Sequence, residues 1–146
     1  MKEFKGRVVV PGTCSAEALV THQGFNTLAS FQMAMMFNKA GVPCGDQNNP
    51  EINGQPMEGK ALCLPITIGS TTGGMILYTV CKLGKAPACM LFSESIDSLA
   101  ASGAIMGCVW SDTAMPVIDR LGQEFLDTVK TGDKITVLED GVVRIE

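Results

Sequence analysis

Lys60-Ala61-Leu62-Cys63-Leu64-Pro65-Ile66-Thr67-Ile68 is followed directly by Gly69-Ser70-Thr71-Thr72-Gly73-Gly74 and then by Met75-Ile76-Leu77-Tyr78-Thr79-Val80-Cys81-Lys82-Leu83. The first piece is a short apolar run of the kind a buried strand needs. Pro65 lacks the N–H of an ordinary central ladder position, so the strand is expected to bulge or leave its sheet there. The third piece is apolar nearly all round, is long enough for about three turns, and ends at Gly84 with Lys82 in its last turn. Those are the marks of a buried helix with a glycine stop. Strand, small-residue loop and buried helix in succession point to an α/β fold.

The flanks extend the pattern in both directions. Upstream, Gly6-Arg7-Val8-Val9-Val10-Pro11-Gly12 is a β-branched run stopped by a Pro-Gly turn, and Glu17-Ala18-Leu19-Val20-Thr21 is a short apolar run that fits strand or helix. Leu28, Phe31, Met35 and Met36 recur at helical spacing between Gly24 and Gly41, with Asn26 or Thr27 available as a cap. Gly45 to Gly59, with Asn48-Asn49-Pro50 and Asn53-Gly54, reads as a polar surface excursion. Downstream, Ala88 to Phe92 is a buried strand, and Glu94 to Ala101 a short helix ended around Gly103. Ala104 to Val109 and Met115 to Ile118 are strand candidates, and Leu121, Phe125, Leu126 and Val129 fit another helix. Lys134 to Leu138, the Asp140-Gly141 turn and Val142 to Ile145 form a hairpin. The expected architecture is one domain over 1–146, with a curved or barrel-like β core, flanking helices, and a helical or loop excursion near 24–59.

Composition narrows the function classes. The 146 residues are 46% apolar, enough for one genuine core. The longest uncharged stretch, Ala61 to Cys81, is broken by Pro65, Gly69, Ser70, Gly73 and Gly74, which argues against a membrane span. Eleven basic against fifteen acidic residues give a net charge of -4 without a dense basic cluster, so no nucleic-acid partner is expected. Met1 to Lys5 is charged and leads into Val8-Val9-Val10 without the apolar region of a secretory signal, so a cytoplasmic location is expected. Six cysteines without a CxxC, and the single His22, give no local zinc or iron–sulfur pattern. The thiols read as reduced and largely buried, and this chain alone is expected to bind no metal or cofactor.

Chemistry concentrates on the loop. Small residues at 69–74 let a ligand approach the backbone, Ser70, Thr71 and Thr72 offer hydroxyls, and the free N–H groups of the following helix favour an anion. The same residues also suit a tight structural turn. The helix field would favour deprotonated Ser70, but it contributes only about 0.3 to 2 kcal/mol, far less than an alcohol needs to act as a base. A further charge from substrate, metal or partner is required. Met75 and Ile76 replace the Lys-Ser/Thr pair of a nucleotide phosphate loop, and no Gly-x-Ser-x-Gly elbow is present. His22 reads as an ordinary surface residue, Asp97 as part of the short helix, and Asp119 as solvent-facing or in a structural salt bridge. Cys44, in the polar excursion, is the cysteine least surrounded by apolar sequence and the one candidate for a reactive thiol, whereas Cys63, Cys81 and Cys89 read as core. Met33, Met35 and Met36 suit core filling or a partner-facing helix.

Taken in order, Gly6 to Gly12, Glu17-Ala18-Leu19-Val20, Asn53-Gly54-Gln55-Pro56-Met57-Glu58-Gly59-Lys60, Leu64-Pro65, Gly69-Ser70-Thr71-Thr72-Gly73, Gly84-Lys85-Ala86-Pro87-Ala88, Ala101-Ser102-Gly103-Ala104-Ile105, Pro116-Val117-Ile118-Asp119 and Gly132-Asp133 resemble the small subunit, or swivel domain, of the aconitase X family. The resemblance spans nearly the whole chain and is carried by collinearity rather than by one motif. It implies a swivelling β/β/α domain that closes over a large catalytic subunit, which would carry an iron–sulfur cluster. It also implies dehydration of a small anionic hydroxyacid, family substrates including cis-3-hydroxy-L-proline and phosphorylated mevalonate. Ser70 would be the catalytic or substrate-orienting hydroxyl, with Gly69, Thr71 and Thr72 shaping the substrate site around it. The chain departs from the family where Ile66-Thr67-Ile68 precedes the Gly-Ser pair, a place often holding arginine or another polar residue, and in the segment from Gly24 to Gly45. Two other readings stand beside this one: a noncatalytic interaction domain docking a larger enzyme through its Met-rich segment, and a self-sufficient thiol enzyme using Cys44.

Overall fold

The computed structural model describes residues 2–68, 72–110 and 115–146, the side chains of 72, 73 and 110 excepted. Along the chain these form β1 (Lys2–Lys5), β2 (Arg7–Val10), β3 (Cys14–Val20), β4 (Phe25–Asn26), α1 (Thr27–Met36), β5 (Ala61–Leu64), β6 (Thr67–Ile68), α2 (Thr72–Lys82), β7 (Cys89–Phe92), α3 (Ser98–Trp110), β8 (Val117–Asp119), α4 (Gln123–Thr128), β9 (Lys134–Val137) and β10 (Val142–Ile145). Eight strands make one sheet in the order β1-β10-β9-β3-β5-β7-β8-β2. Its two edge strands, β1 and β2, are separated in sequence only by Gly6, so the edges meet and the sheet curls into a nearly closed barrel. Gly6 occupies that seam: its N–H donates to the Gly141 carbonyl at 3.1 Å, and a Cβ there would fall 2.3 Å from the Asp119 carbonyl oxygen.

β3, β5, β7 and β8 are mutually parallel. Strands with both faces covered need no polar alternation, which is why Ala61 to Leu64 and Cys89 to Phe92 are continuous apolar runs. Alternate side chains serve different cores: Leu62, Leu64, Met90 and Phe92 pack under the helices with Leu77 and Phe31, whereas Cys63, Cys89 and Leu91 line the barrel with Phe125, Ile135 and Val143. Pro65 ends β5, and the chain resumes as β6, which leaves the main sheet to pair with β4. Residues 17–20 of the run that fitted strand or helix belong to β3, and Thr21 follows its end. Asn26 is the cap of α1, accepting from Ala29 N–H at 3.0 Å.

Two expectations are corrected. The helix after β7 does not end near Gly103, and Ala104 to Val109 is not a strand: α3 runs unbroken from Ser98 to Trp110. Gly103 serves packing rather than termination, because a Cβ there would lie 1.9 Å from the Gly74 carbonyl oxygen of α2. The polar stretch after Gly45 is not simply a surface excursion either, since Asn49, Ile52 and Met57 are buried in it. Asn49 Nδ2 donates to Thr21 Oγ1 at 2.9 Å, and the Cys44 and Gly54 N–H groups bond carbonyls within the segment. With these polar groups bonded within the segment and to Thr21, Ser30 and Gly41, the segment packs its few apolar residues inward.

Candidate functional site

α2 and α3 run side by side in the same direction, with Gly74 against Leu99 and Gly103, and Gly107 against Cys81 and Tyr78. Both N-termini therefore lie at the end where the chain leaves β6 at Ile68. Thr67 Oγ1 donates to Asp97 Oδ1, and Asp97 Oδ2 accepts from Ala100 N–H at 2.9 Å. Asp97, expected on the helix, instead precedes α3, satisfies one of its free N–H groups and ties it to β6. The 93–97 segment is also laced to its neighbours. Ser93 N–H donates to Leu64 O at 3.0 Å, Glu94 N–H to Pro65 O at 3.2 Å, Arg120 N–H to Glu94 O at 3.0 Å and Gly122 N–H to Ser93 O at 2.9 Å. The ends of β5, β7 and β8 thus form one shelf beside two helix N-termini, a setting that favours an anion. Gly69, Ser70 and Thr71 lie outside the described residues. Thr72 opens α2, and its side chain also lies outside them.

The other candidates fall to structural roles. Asp119 is fully buried and takes a two-pronged bond from Arg7, Nε at 2.9 Å and Nη2 at 2.6 Å, and the Ile96 N–H at 2.9 Å. Cys44 is 2% exposed rather than the open thiol its polar neighbours suggested. Burial raises its pKa, which removes the thiolate a nucleophile requires. Burial likewise raises Cys63, and pushes Cys81, which also faces Cys108, up to about 11. Local composition could not show Cys44 folding inward with Val42 and Ile52.

His22 is half-exposed but paired. Its Nδ1 lies 2.6 Å from Glu51 Oε2, its backbone N–H donates to Glu51 Oε1 at 2.6 Å, and Nε2 lies 3.3 Å from the Leu126 carbonyl oxygen. The hydrogen bond to Glu51, the largest influence, raises the imidazole pKa above its ordinary 6.5 against a smaller opposing effect of burial. A raised folded-state pKa means that the charged pair supports the fold fully below 6.5 and loses that support as pH rises through the folded value. In an NMR titration His22 is expected to show a midpoint above 6.5, and Glu51→Gln to bring it down. An unchanged midpoint in Glu51→Gln would contradict the pairing.

The exposed apolar residues are concentrated on the helices. Every exposed large hydrophobic among the described residues falls between Met33 and Val109, on or beside α1, β6, α2 and α3. Met75 is 71%, Val109 67% and Met36 66% exposed. Between α2 and α3 a groove of about 390 Å³ is lined by Gly74, Met75, Tyr78, Leu99, Gly103 and Met106. Of the two sequence readings of the methionines, Met33 and Met36 on α1 follow the exposed one, as does Phe37 just after it. Among the described residues no three His, Cys, Asp or Glu side chains come together as metal ligands, and no helix is long and apolar enough to cross a membrane.

Residues 3–145 match the family model described as the aconitase X swivel domain. A Thermococcus onnurineus protein named phosphomevalonate dehydratase small subunit is 28% identical over 145 residues, covering 99% of this chain and 98% of that protein. A Methanocella arvoryzae protein of the same name is 29% identical over 143 residues, covering 98% and 96%. The crystal structure of Thermococcus kodakaraensis aconitase X in its holo form superposes with a TM-score of 0.83 at 27% identity, covering 100% of this chain and 99% of that one.

Proposed function

This chain belongs to the aconitase X swivel-domain family, and on that premise we propose that it is the small subunit of a cytoplasmic hydro-lyase, joined to a large catalytic subunit and inactive alone. The observation that carries this is its end-to-end similarity to proteins named as dehydratase small subunits. The substrate in this reading is a hydroxylated carboxylic acid. The relatives' name makes phosphomevalonate the first acid to assay, with cis-3-hydroxy-L-proline as the alternative. The iron–sulfur cluster of this reading belongs to the large subunit, as the family resemblance implies.

This chain's part is the segment Gly69–Thr72, between β6 and α2. Ser70, as an alkoxide, takes the proton from the carbon beside the substrate carboxylate. The C–H electron pair becomes the double bond, the C–O bond to the leaving hydroxyl breaks, and that hydroxyl departs as water with a proton given by an acidic group of the large subunit, the one that takes the Ser70 proton when the alkoxide is regenerated. Backbone N–H groups at the helix start hold the anionic end of the acid, the kind of positioning that lowers the entropic part of the barrier. If Ser70 only orients substrate, the same contacts hold and the proton goes to a group on the partner.

The apolar face supports the partner. A helix such as α3, apolar nearly all round, normally has both sides covered, and exposed apolar surface this extensive marks an interface. The test is co-expression with the large subunit, purification of the complex, and a dehydration assay on the two acids. Turnover by the complex and none by either chain alone is expected. A complex with neither activity would overturn the reading.

Charges placed on this face should prevent assembly without unfolding the chain. The double variant Met75→Glu, Val109→Glu is expected to weaken association at least about 100-fold, since a buried unpaired carboxylate costs several kcal/mol and each 1.4 kcal/mol is a tenfold change. Its melting temperature should match the parent's, both positions being exposed in the free chain. Size-exclusion chromatography of the mixed subunits checks this, and full co-elution of the variant would refute the docking face. The noncatalytic alternative, docking through Met33 and Met36, is favoured by their exposure. It requires every Ser70 variant to retain full activity in the complex.

A further inference from the structure

The chain has three arginines, and two are committed. Arg7 holds buried Asp119, and Arg144 pairs with Glu3. Arg120 is exposed and has no carboxylate within ion-pair distance among the described residues, in a chain whose net charge is -4. The carboxylates of its neighbourhood are engaged or turned to other partners: Asp119 is taken by Arg7 and Ile96 N–H, and Asp97 by Thr67 and Ala100 N–H. Glu94 meets Arg120 through its backbone carbonyl.

The backbone at Arg120 is unusual as well. Its φ is +58°, a left-handed conformation disfavoured for a residue with a side chain, and a plain turn would be served by glycine. The conformation is held on both sides: Arg120 N–H donates to Glu94 O at 3.0 Å and Leu121 N–H to Phe92 O at 3.0 Å. The side chain is aimed by a further contact, Nε donating to Ser95 Oγ at 3.0 Å. The Nη groups make no hydrogen bond among the described residues. Arg120 also stands on the shelf already described, since Glu94 bonds both Arg120 and Pro65, four residues before Gly69. A guanidinium with its Nε fixed and its outer edge free matches a carboxylate or phosphate in a two-pronged contact. Strained residues held firmly by their surroundings are a recognised mark of binding sites.

We propose that Arg120 is a substrate-binding residue, whose Nη groups, unpaired among the described residues, take an oxyanion of the acid at the C-terminal ends of β5, β7 and β8. The inference rests on the dehydratase reading for the identity of the acid, though not for the anion site itself. Carboxylate and phosphate share this chemistry, and the two assay acids separate them. If Arg120 binds the phosphate, its loss affects turnover of phosphomevalonate and spares that of an acid without phosphate; if it binds the carboxylate, both suffer.

The test is steady-state kinetics of the complex carrying Arg120→Gly, Arg120→Asn or Arg120→Lys. Glycine and asparagine accept the positive φ, so they remove the charge without adding strain. Both are expected to raise KM at least tenfold with a smaller change in kcat, and to leave assembly and melting temperature at or above the parent's. Lysine should recover part of the loss. An unchanged KM in Arg120→Gly overturns the proposal. If the parent complex dehydrates neither acid, the functional reading has failed and the anion site is read separately, by titrating the full chain with inorganic phosphate and following the Arg120 Nε–H signal by NMR. A saturable shift there, absent from the Nε–H signals of the paired Arg7 and Arg144, sustains the site, and no shift at Arg120 overturns it.

Discussion

Gly103→Ala is expected to destabilise the chain by about 3 kcal/mol or more, at the upper end of what an overpacked contact costs. The added Cβ would stand 1.9 Å from the Gly74 carbonyl oxygen, 2.6 Å from its carbon and 2.7 Å from its Cα. All three atoms are backbone, so no rotamer change relieves the clash and α2 must move away from α3. That movement opens the core beneath them, where Leu77, Val80, Ala100 and Ala104 are buried. Alanine's better helix propensity returns only about 1 kcal/mol, so the clash decides the sign. For a domain with about 5 to 15 kcal/mol in total, the loss should appear as a fall in melting temperature of about 10 °C. Gly84→Ala is the control: its φ is +71° but a Cβ there meets nothing within 4 Å. Its cost should be about 1 kcal/mol, from backbone strain alone. Thermal melts followed by circular dichroism compare the two, and equal melting temperatures would refute the tight helix crossing.

The elements that were legible in the sequence are those whose signal is local. The β9–β10 hairpin announces itself through Asp140-Gly141, and the break between β5 and β6 through Pro65. α3 was not legible because Ala104-Ile105-Met106-Gly107-Cys108-Val109 is apolar without a period, and Gly103 looked like a stop. Only three dimensions show that Gly103 and Gly107, four residues apart and so on one helix face, are the notches into which α2 fits. The barrel-like core was expected from the sequence, but the place of its seam was hidden, since nothing at Gly6 says that strands adjacent in sequence are sheet edges apart in hydrogen bonding. Cys44 misled because burial depends on which way a loop folds rather than on its neighbours in sequence. For the candidate site, residue size and hydroxyl content raise the loop at 69–74 as an expectation, and Gly69 to Thr71 lie outside the described residues. The role proposed for Arg120 has no such signal, because a backbone dihedral and the lack of an ion-pair partner among the described residues leave no trace in composition.

Ser70→Ala in the assembled complex is expected to lower kcat/KM by about a thousandfold, within the range general-base groups contribute, with assembly and KM nearly unchanged. The size of the required pKa shift explains why the isolated chain should be inactive. One pKa unit is about 1.36 kcal/mol, whereas helix termini supply about 0.3 to 2 kcal/mol each. A helix terminus thus brings an adjacent alcohol only about a unit closer to ionisation. On the proposed reading the remainder comes from charges of the partner and the substrate, so base chemistry at Ser70 would require both to be present. Two measurements separate the roles. If Ser70 is the base, the acid limb of the kcat/KM profile vanishes in the alanine variant along with nearly all turnover. If it only orients the acid, the variant keeps partial turnover and the same pH profile. A complex carrying Ser70→Ala that turns over at the parent rate would remove the loop from the chemistry, leaving the apolar face, and docking alone, as this chain's contribution.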